Sequence, residues 1–218
     1  MRALYHYPTS TFSRRARMCL AHKGLEHELR DARTNPEHEA EARRLSPIGT
    51  MPVLVDDGRV VGDSLAIAQY LELAYPLTPR LFPTAPGAAR DALHAISLVD
   101  TAMNILVDVG TRYWALRDSA EWDAVRAHRA ARGQRALDAL AEMTRDADGP
   151  RPYLAGDEWS AADIFVYAGV RWLAGIPARL GTNPLLPQIL AVGITLPPAL
   201  VAWTTQHVAR PEMVAIEG

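Results

Sequence analysis

The stretch from Ser46 to Tyr75, SPIGTMPVLVDDGRVVGDSLAIAQYLELAY, constrains the chain more than any other, because two strands, their turn and a helix start must fit inside it. Val53, Leu54 and Val55 form a short apolar run, Asp56-Asp57-Gly58 supplies a hairpin turn ending in a residue suited to positive φ, and Val60-Val61 return as an antiparallel partner. Gly62-Asp63-Ser64 then interrupts the strand and opens a helix that Leu65, Ala66, Ala68, Leu71 and Leu73 make mostly apolar. A helix start carries unpaired N–H groups and the positive end of the dipole. Asp63 and Ser64 are therefore either an N-cap pair or the holder of an anion or a peptide terminus.

Upstream, Ala3 to Tyr7 alternates and is aromatic, which predicts a first strand ended by Pro8. A polar knot, Thr9-Ser10-Thr11-Phe12-Ser13, leads into a helix over roughly Arg14 to Lys23, closed by Gly24. Ala16, Cys19 and Leu20 share a face of that helix, so Cys19 is expected to pack inward rather than act as a nucleophile. Leu25 to Leu29 is a candidate second strand, parallel to the first because a crossover helix precedes it. Pro36 to Leu45, rich in Glu, Ala and Arg, reads as an exposed helix. The order β-α-β-α, hairpin, helix makes a small α/β layer within the first 75 residues or so.

Four prolines between Tyr75 and Ala88 mark a linker, placed at 77–87 between domains at 1–76 and 88–218. Beyond it the strand signals vanish, and helices are expected near 87–118, 121–147, 160–175 and 197–209. Ser160-Ala161-Ala162-Asp163 is a capping box with Asp in place of Glu or Gln, and it leads into an apolar run that predicts a core helix. From Arg179 to Pro197, Pro184, Pro187 and Gly193 are expected to break a helix in a region that reshapes a pocket or a dimer contact.

Composition narrows the function. The chain of 218 residues is 49% hydrophobic and carries a formal charge of -2, so it can bury a core and lacks the basic surface that nonspecific nucleic-acid binding needs. One cysteine excludes an internal disulfide and a cysteine-built zinc site; the seven histidines show no ligand spacing, so no metal is expected. No run of about eighteen apolar residues or leader-like start is read, so the expectation is no membrane segment and a cytoplasmic location.

Together, SPIGTMPVL, GDSLAIAQYLE, YLAGDEWSAADIF and PALVAWTTQHVARPEM resemble the cytosolic glutathione S-transferase family over essentially the whole length. The resemblance implies a thioredoxin-like N-terminal domain that binds glutathione as co-substrate, an all-helical C-terminal domain lining an electrophile pocket, and a homodimer. Pro52 would be the family's cis-proline, which presents the Met51 backbone, beside Thr50, to the cysteinyl part of glutathione. Asp63 would pair with the γ-glutamyl ammonium, where the family more often has Glu, and Ser64 with the α-carboxylate.

The family activates the glutathione thiol with Tyr, Ser or Cys just after the first strand. Aligning Ser13-Arg14-Arg15-Ala16-Arg17 with the family's helix start places Ser10 at that position, with Thr11 as the runner-up, Ser13 as the helix N-cap and Tyr7 at the strand end. Hydroxyls stand where a thioredoxin-type CxxC motif would have sulfurs, which disfavours disulfide exchange. In the helical half, Met103, Val107, Thr111 and Trp114 form a candidate electrophile-facing stripe, and Asp100 a candidate contact to the partner's glutathione. The implied activity is addition of the activated thiol to a small hydrophobic electrophile. The alternatives are glutathione-dependent cis-trans isomerisation at the same site and a non-catalytic binding module of the same fold.

Overall fold

In this computed structural model the described residues are 1–116, 118–147 and 149–210, the side chains of 113–115 excepted. The N-terminal part runs β1 (Arg2–His6), α1 (Thr11–His22), β2 (Glu28–Asp31), α2 (Pro36–Leu45), β3 (Val53–Asp56), β4 (Arg59–Gly62) and α3 (Ser64–Ala74). Its sheet order is β2-β1-β3-β4, with β1 parallel to β2 and antiparallel to β3. This is the thioredoxin-like arrangement that the sequence predicts.

Three local details differ from that prediction, each for a physical reason. Helix α1 begins at Thr11 rather than near Arg14, because the Ser10 Oγ accepts the Ser13 N–H at 3.3 Å and so caps the first turn. Ser13 is therefore not the N-cap; it is buried within that turn, its Oγ accepting the Tyr7 N–H at 3.2 Å. Strand β2 begins at Glu28 rather than Leu25, because Gly24 (φ 63°) and Leu25 send their N–H groups back to Ala21 and Leu20 and close the helix before the chain can pair.

Next come α4 (Pro86–Leu116), α5 (Trp122–Met143), β5 (Arg145–Asp146), β6 (Gly149–Pro150), α6 (Ala161–Ala174), a 3-10 turn (Pro177–Arg179), α7 (Leu185–Ala191) and α8 (Pro198–Thr205). The two-residue strands β5 and β6 pair as a small hairpin in an otherwise helical domain. Helix α7 forms despite its prolines, which lie before it and at its third position, where an N–H has no intrahelical partner to lose. Helix α4 packs on α5, α6 and α7. Its Pro86–Arg112 stretch is long and apolar enough to cross a membrane, yet half of its apolar window is buried inside the protein, as in a core helix.

Helix α6 is the core helix of this half, with every residue from Ala161 to Val170 buried. Asp163 anchors its start, accepting the Leu154 N–H at 2.8 Å, the Ser160 N–H at 2.9 Å and the Ser160 hydroxyl at 2.8 Å. Burial pushes its carboxyl up to about 6 despite those donors. The two halves meet where α1 packs on α6.

Candidate active site

The register of the sheet gathers the candidate residues at one end. Tyr5, near the end of β1, pairs with Val53 at the start of β3, and Val53 pairs with Gly62 at the end of β4. The segments Pro8–Ser10, Thr50–Pro52 and Asp63–Ser64 thus leave three neighbouring strands at the same edge. Two strand spacings are about 10 Å, the span of an extended tripeptide at roughly 3.3–3.6 Å per residue.

Ser10 is at one side of that edge, at the start of α1. Its hydroxyl oxygen takes the Ser13 N–H and its carbonyl takes the Arg14 N–H at 2.9 Å. Among the described residues the N–H groups of Thr11 and Phe12 have no such partner and the Ser10 O–H donates to none, so that proton can be given to a ligand. The adjoining Thr11 is 1% exposed, and its Oγ1 is buried without a hydrogen-bond partner.

A cleft of about 660 Å³ opens on this helix start, with Ser10, Thr11 and Phe12 on one side and Val107 and Thr111 of α4 on the other. Trp172 of α6 and Leu185, Leu186 and Ile189 of α7 supply its apolar wall. Its polar rim includes Arg33, Arg179 and Asn183. Another cavity, of about 580 Å³, lies between the β5–β6 hairpin and α8, away from these hydroxyls.

At the other side of the sheet edge, Asp63 is the exposed N-cap of α3, at φ 73°, accepting the N–H groups of Leu65 at 2.8 Å and Ala66 at 3.2 Å. Ser64 is buried beside it. Between the two sides, the Met51–Pro52 bond is cis with both residues buried, while Thr50 is exposed, its N–H on the Ser46 Oγ at 3.2 Å. These five residues flank the cleft rather than line it.

The stripe on α4 divides. Val107 and Thr111 face the cleft, the Thr111 hydroxyl being held by the carbonyls of Val107 and Asp108. Met103, one turn earlier, is instead buried in the core against Gly169 of α6, where a Cβ would lie 3.3 Å from its Sδ. Small residues at that crossing draw the helices together and leave Met103 no route to the cleft. The side chain of Trp114 lies outside the described residues.

Asp100 accepts a hydrogen bond from Arg15 Nη1. Arg15 is wholly buried between the rings of Phe12, at 4.8 Å, and Phe165, at 4.6 Å, and its Nε and Nη2 have no hydrogen-bond partner. Burial lowers the Arg15 pKa, and it raises that of Asp100 against the pull of Arg15. The charge of Asp63 is near enough to support the Arg15 cation and to oppose ionisation of Asp100.

Tyr7 lines the cleft, but its hydroxyl is directed to Glu39 Oε1 at 3.4 Å. His6, behind it, is held down to about 4 by burial and then by Arg17, 3.4 Å away. Cys19 is fully buried and its thiol is pushed up to about 12, which removes it as a nucleophile. Sequence reading missed Arg33, Trp172, Arg179 and Asn183. The one signal pointing towards the last two was the irregular stretch between Arg179 and Pro197.

A family model described as the glutathione S-transferase N-terminal domain matches residues 4–79. The probable glutathione S-transferase GSTU1 of Oryza sativa subsp. japonica is 36% identical over 118 residues, 52% of this chain and 51% of the rice protein. The chain thus spans about half the length of that curated relative. Maleylacetoacetate isomerase of Rattus norvegicus is 29% identical over 95% of this chain and 92% of its own. Among solved structures, a glutathione S-transferase of Methylobacterium radiotolerans in complex with glutathione sulfonate has the same fold, with a TM-score of 0.75 at 24% identity, over 98% of this chain and 93% of that one.

Proposed function

Since the chain belongs to the glutathione S-transferase family, we propose that it binds glutathione along the sheet edge and activates its thiol through Ser10 for attack on a small hydrophobic electrophile. The observation that carries this reading is the donor set at the start of α1: a hydroxyl whose oxygen is already engaged by Ser13, beside two N–H groups without partners, at the mouth of a cleft. A thiol of pKa about 8.5 is mostly protonated at neutral pH. Lowering it by about two units takes roughly 2.7 kcal/mol of preferential thiolate stabilisation. A hydroxyl donor at a helix N-terminus is of the right size to give that.

In this reading Asp63 receives the γ-glutamyl ammonium, Ser64 takes the adjacent carboxylate with its hydroxyl and its own N–H, the amides of Leu65 and Ala66 being held by Asp63, and the backbone of Met51, with Thr50 and Pro52 around it, pairs with the cysteinyl unit. Residues 1–76 form the glutathione-binding domain, 77–87 the linker and 88–218 the domain that lines the electrophile pocket. The protein works as a cytoplasmic homodimer in detoxification, with Asp100 facing the partner's glutathione.

Calorimetric titration with glutathione, together with a conjugation assay on an aryl halide, tests the proposal. Binding without conjugation of any electrophile would replace it with the binding-module reading. A second reading, cis-trans isomerisation by reversible thiol addition, is favoured by the near full-length similarity to the rat isomerase. It uses the same donors, and turnover of a cis-enone without net consumption of glutathione identifies it.

A further inference from the structure

The cleft has a charge pattern that a purely hydrophobic electrophile would leave unused. Among the described residues lining it there are two arginines and no Asp or Glu. Arg33 comes from the N-terminal half, its guanidinium stacked 4.3 Å above the Tyr7 ring. Arg179 comes from the 3-10 turn after α6, and its placement is the more telling. Its Nε donates to the Gly175 carbonyl at 3.0 Å and its Nη2 to the Trp172 carbonyl at 2.9 Å. The guanidinium lies over Gly175, where an added Cβ would sit 3.5 Å from Nη2 and 3.6 Å from Nε.

Among the described residues no carboxylate is paired with Arg179; its guanidinium is held by two backbone carbonyls, which leaves the Nη1 donors over. Such a guanidinium is a fixed receptor for a planar anion. Asn183 and Thr182, also on the cleft, add neutral hydrogen-bonding groups next to it. The apolar wall of Trp172, Leu185 and Ile189 lies on the same cleft.

We propose that the second substrate is an electrophile with an apolar body and one carboxylate, and that Arg179 is the residue that binds the carboxylate. The inference rests on the glutathione-transferase reading and names the substrate class of that same site. It assigns Arg179 to the electrophile and not to glutathione, because Arg179 stands on the helical half, next to α7.

The test uses the full-length protein and two probes, a benzylideneacetone bearing a para-carboxylate and its methyl ester, with the saturated analogue of each for binding in the presence of glutathione. At low salt the wild-type protein is expected to favour the carboxylate by about tenfold or more in kcat/KM and in analogue affinity. Arg179→Met should abolish that preference through KM while leaving the ester unchanged, and Arg179→Lys should restore part of it. Arg33→Gln, at an exposed position where the guanidinium rests on the Tyr7 ring and has no hydrogen bond among the described residues to fix it, should have a smaller effect.

Equal binding of the acid and ester analogues by the wild-type protein would overturn the proposal. So would an Arg179→Met variant that weakens glutathione itself, or one that loses acid and ester equally. Analogue binding with the expected preference but no conjugation would support the carboxylate site and sink the transferase reading, so the two failures are separable.

Discussion

Replacing Ser10 by Ala should produce two effects whose sizes follow from two separate jobs of one hydroxyl. As N-cap of α1 it satisfies the Ser13 N–H, and losing a serine cap costs about 0.5–2 kcal/mol of stability. As thiolate donor it supplies a hydrogen bond to a charged group, about 1.5–3 kcal/mol, which corresponds to a rise of roughly one to two units in the bound thiol pKa. If the wild-type thiol lies near 6.5, the variant's lies near about 7.5–8.5, and at pH about 6.5 its thiolate fraction falls by roughly 5- to 50-fold. The rate should fall by a similar factor and recover as the pH rises above that of the variant's thiol, while glutathione affinity stays nearly constant.

Ultraviolet titration of the bound thiolate and the pH profile of kcat/KM measure this directly. An unshifted thiolate titration would refute the assignment of Ser10. So would a rate deficit of constant size up to pH about 9.5, which would mean that the hydroxyl orients glutathione without lowering its pKa. Thr11→Val is the matched control. The Thr11 hydroxyl is buried without a partner, so an isosteric methyl should be neutral or stabilising; a shift of the thiol pKa in that variant would transfer the role to Thr11.

Asp63→Asn keeps an oxygen for the N–H groups of Leu65 and Ala66 but removes the charge, so unfolding should change by only a few tenths of a kcal/mol while the glutathione Kd rises about tenfold; calorimetry showing an unchanged Kd would exclude the ammonium pairing. His6 is neutral in the folded protein, with a pKa of about 4 against 6.5 for the free group. The unfolded chain therefore binds the extra proton between those values, and stability should fall by up to about 3 kcal/mol as the pH drops from 6.5 towards 4. Denaturant titrations across that window should give a flatter slope for His6→Gln, and an identical slope would show that other groups carry the acid sensitivity. A Cβ at Gly110 of α4 would lie 2.7 Å from Ile189 Cγ1. Overpacking costs about 1–3 kcal/mol, against about 1 kcal/mol gained in helix propensity. Gly110→Ala should thus lower the Tm slightly and, by displacing α7, raise the KM for the electrophile but not for glutathione; equal changes in both would argue against α7 as a cleft wall.

The parts of this fold legible in the sequence are those set by neighbours along the chain. The hairpin of β3 and β4 follows from Asp57-Gly58, whose φ values of 47° and 82° are those the turn requires. The starts of α3 and α6 follow from Asp63 and from the Ser160–Asp163 box. Misreadings arose where a partner is distant or a choice is degenerate. Several hydroxyls near the start of α1 could cap it, and only the fold selects Ser10. Met103 and Val107 share a helical face by spacing, and it is Gly169, from another helix, that draws the first into the core. Arg179 was invisible as a cleft residue because its anchors, the carbonyls of Trp172 and Gly175, are backbone atoms that no side-chain pattern reports.

Arg15 shows why the site and the domain interface cannot be treated as separate features. A buried guanidinium is costly unless it is paired, and removing one partner of a buried pair typically costs about 3–5 kcal/mol. Here the pair is Asp100, 85 positions away on α4, and the flanking rings come from Phe12 on α1 and Phe165 on α6. One side chain thus ties the first turns of α1 to α4 and to the core helix α6 of the other half. That turn carries the Ser10 hydroxyl and the open Thr11 and Phe12 amides, and Phe12 itself lines the cleft. A shift of α1 relative to α4 and α6 would move the donors with respect to Val107 and Trp172 on the opposite walls. The stretch from Ser46 to Tyr75 fixes the sheet edge from within the N-terminal half. The distance between the donors at the start of α1 and the opposite wall of the cleft is set across the interface, by α1 and the pairing of the buried Arg15 with the half-buried Asp100.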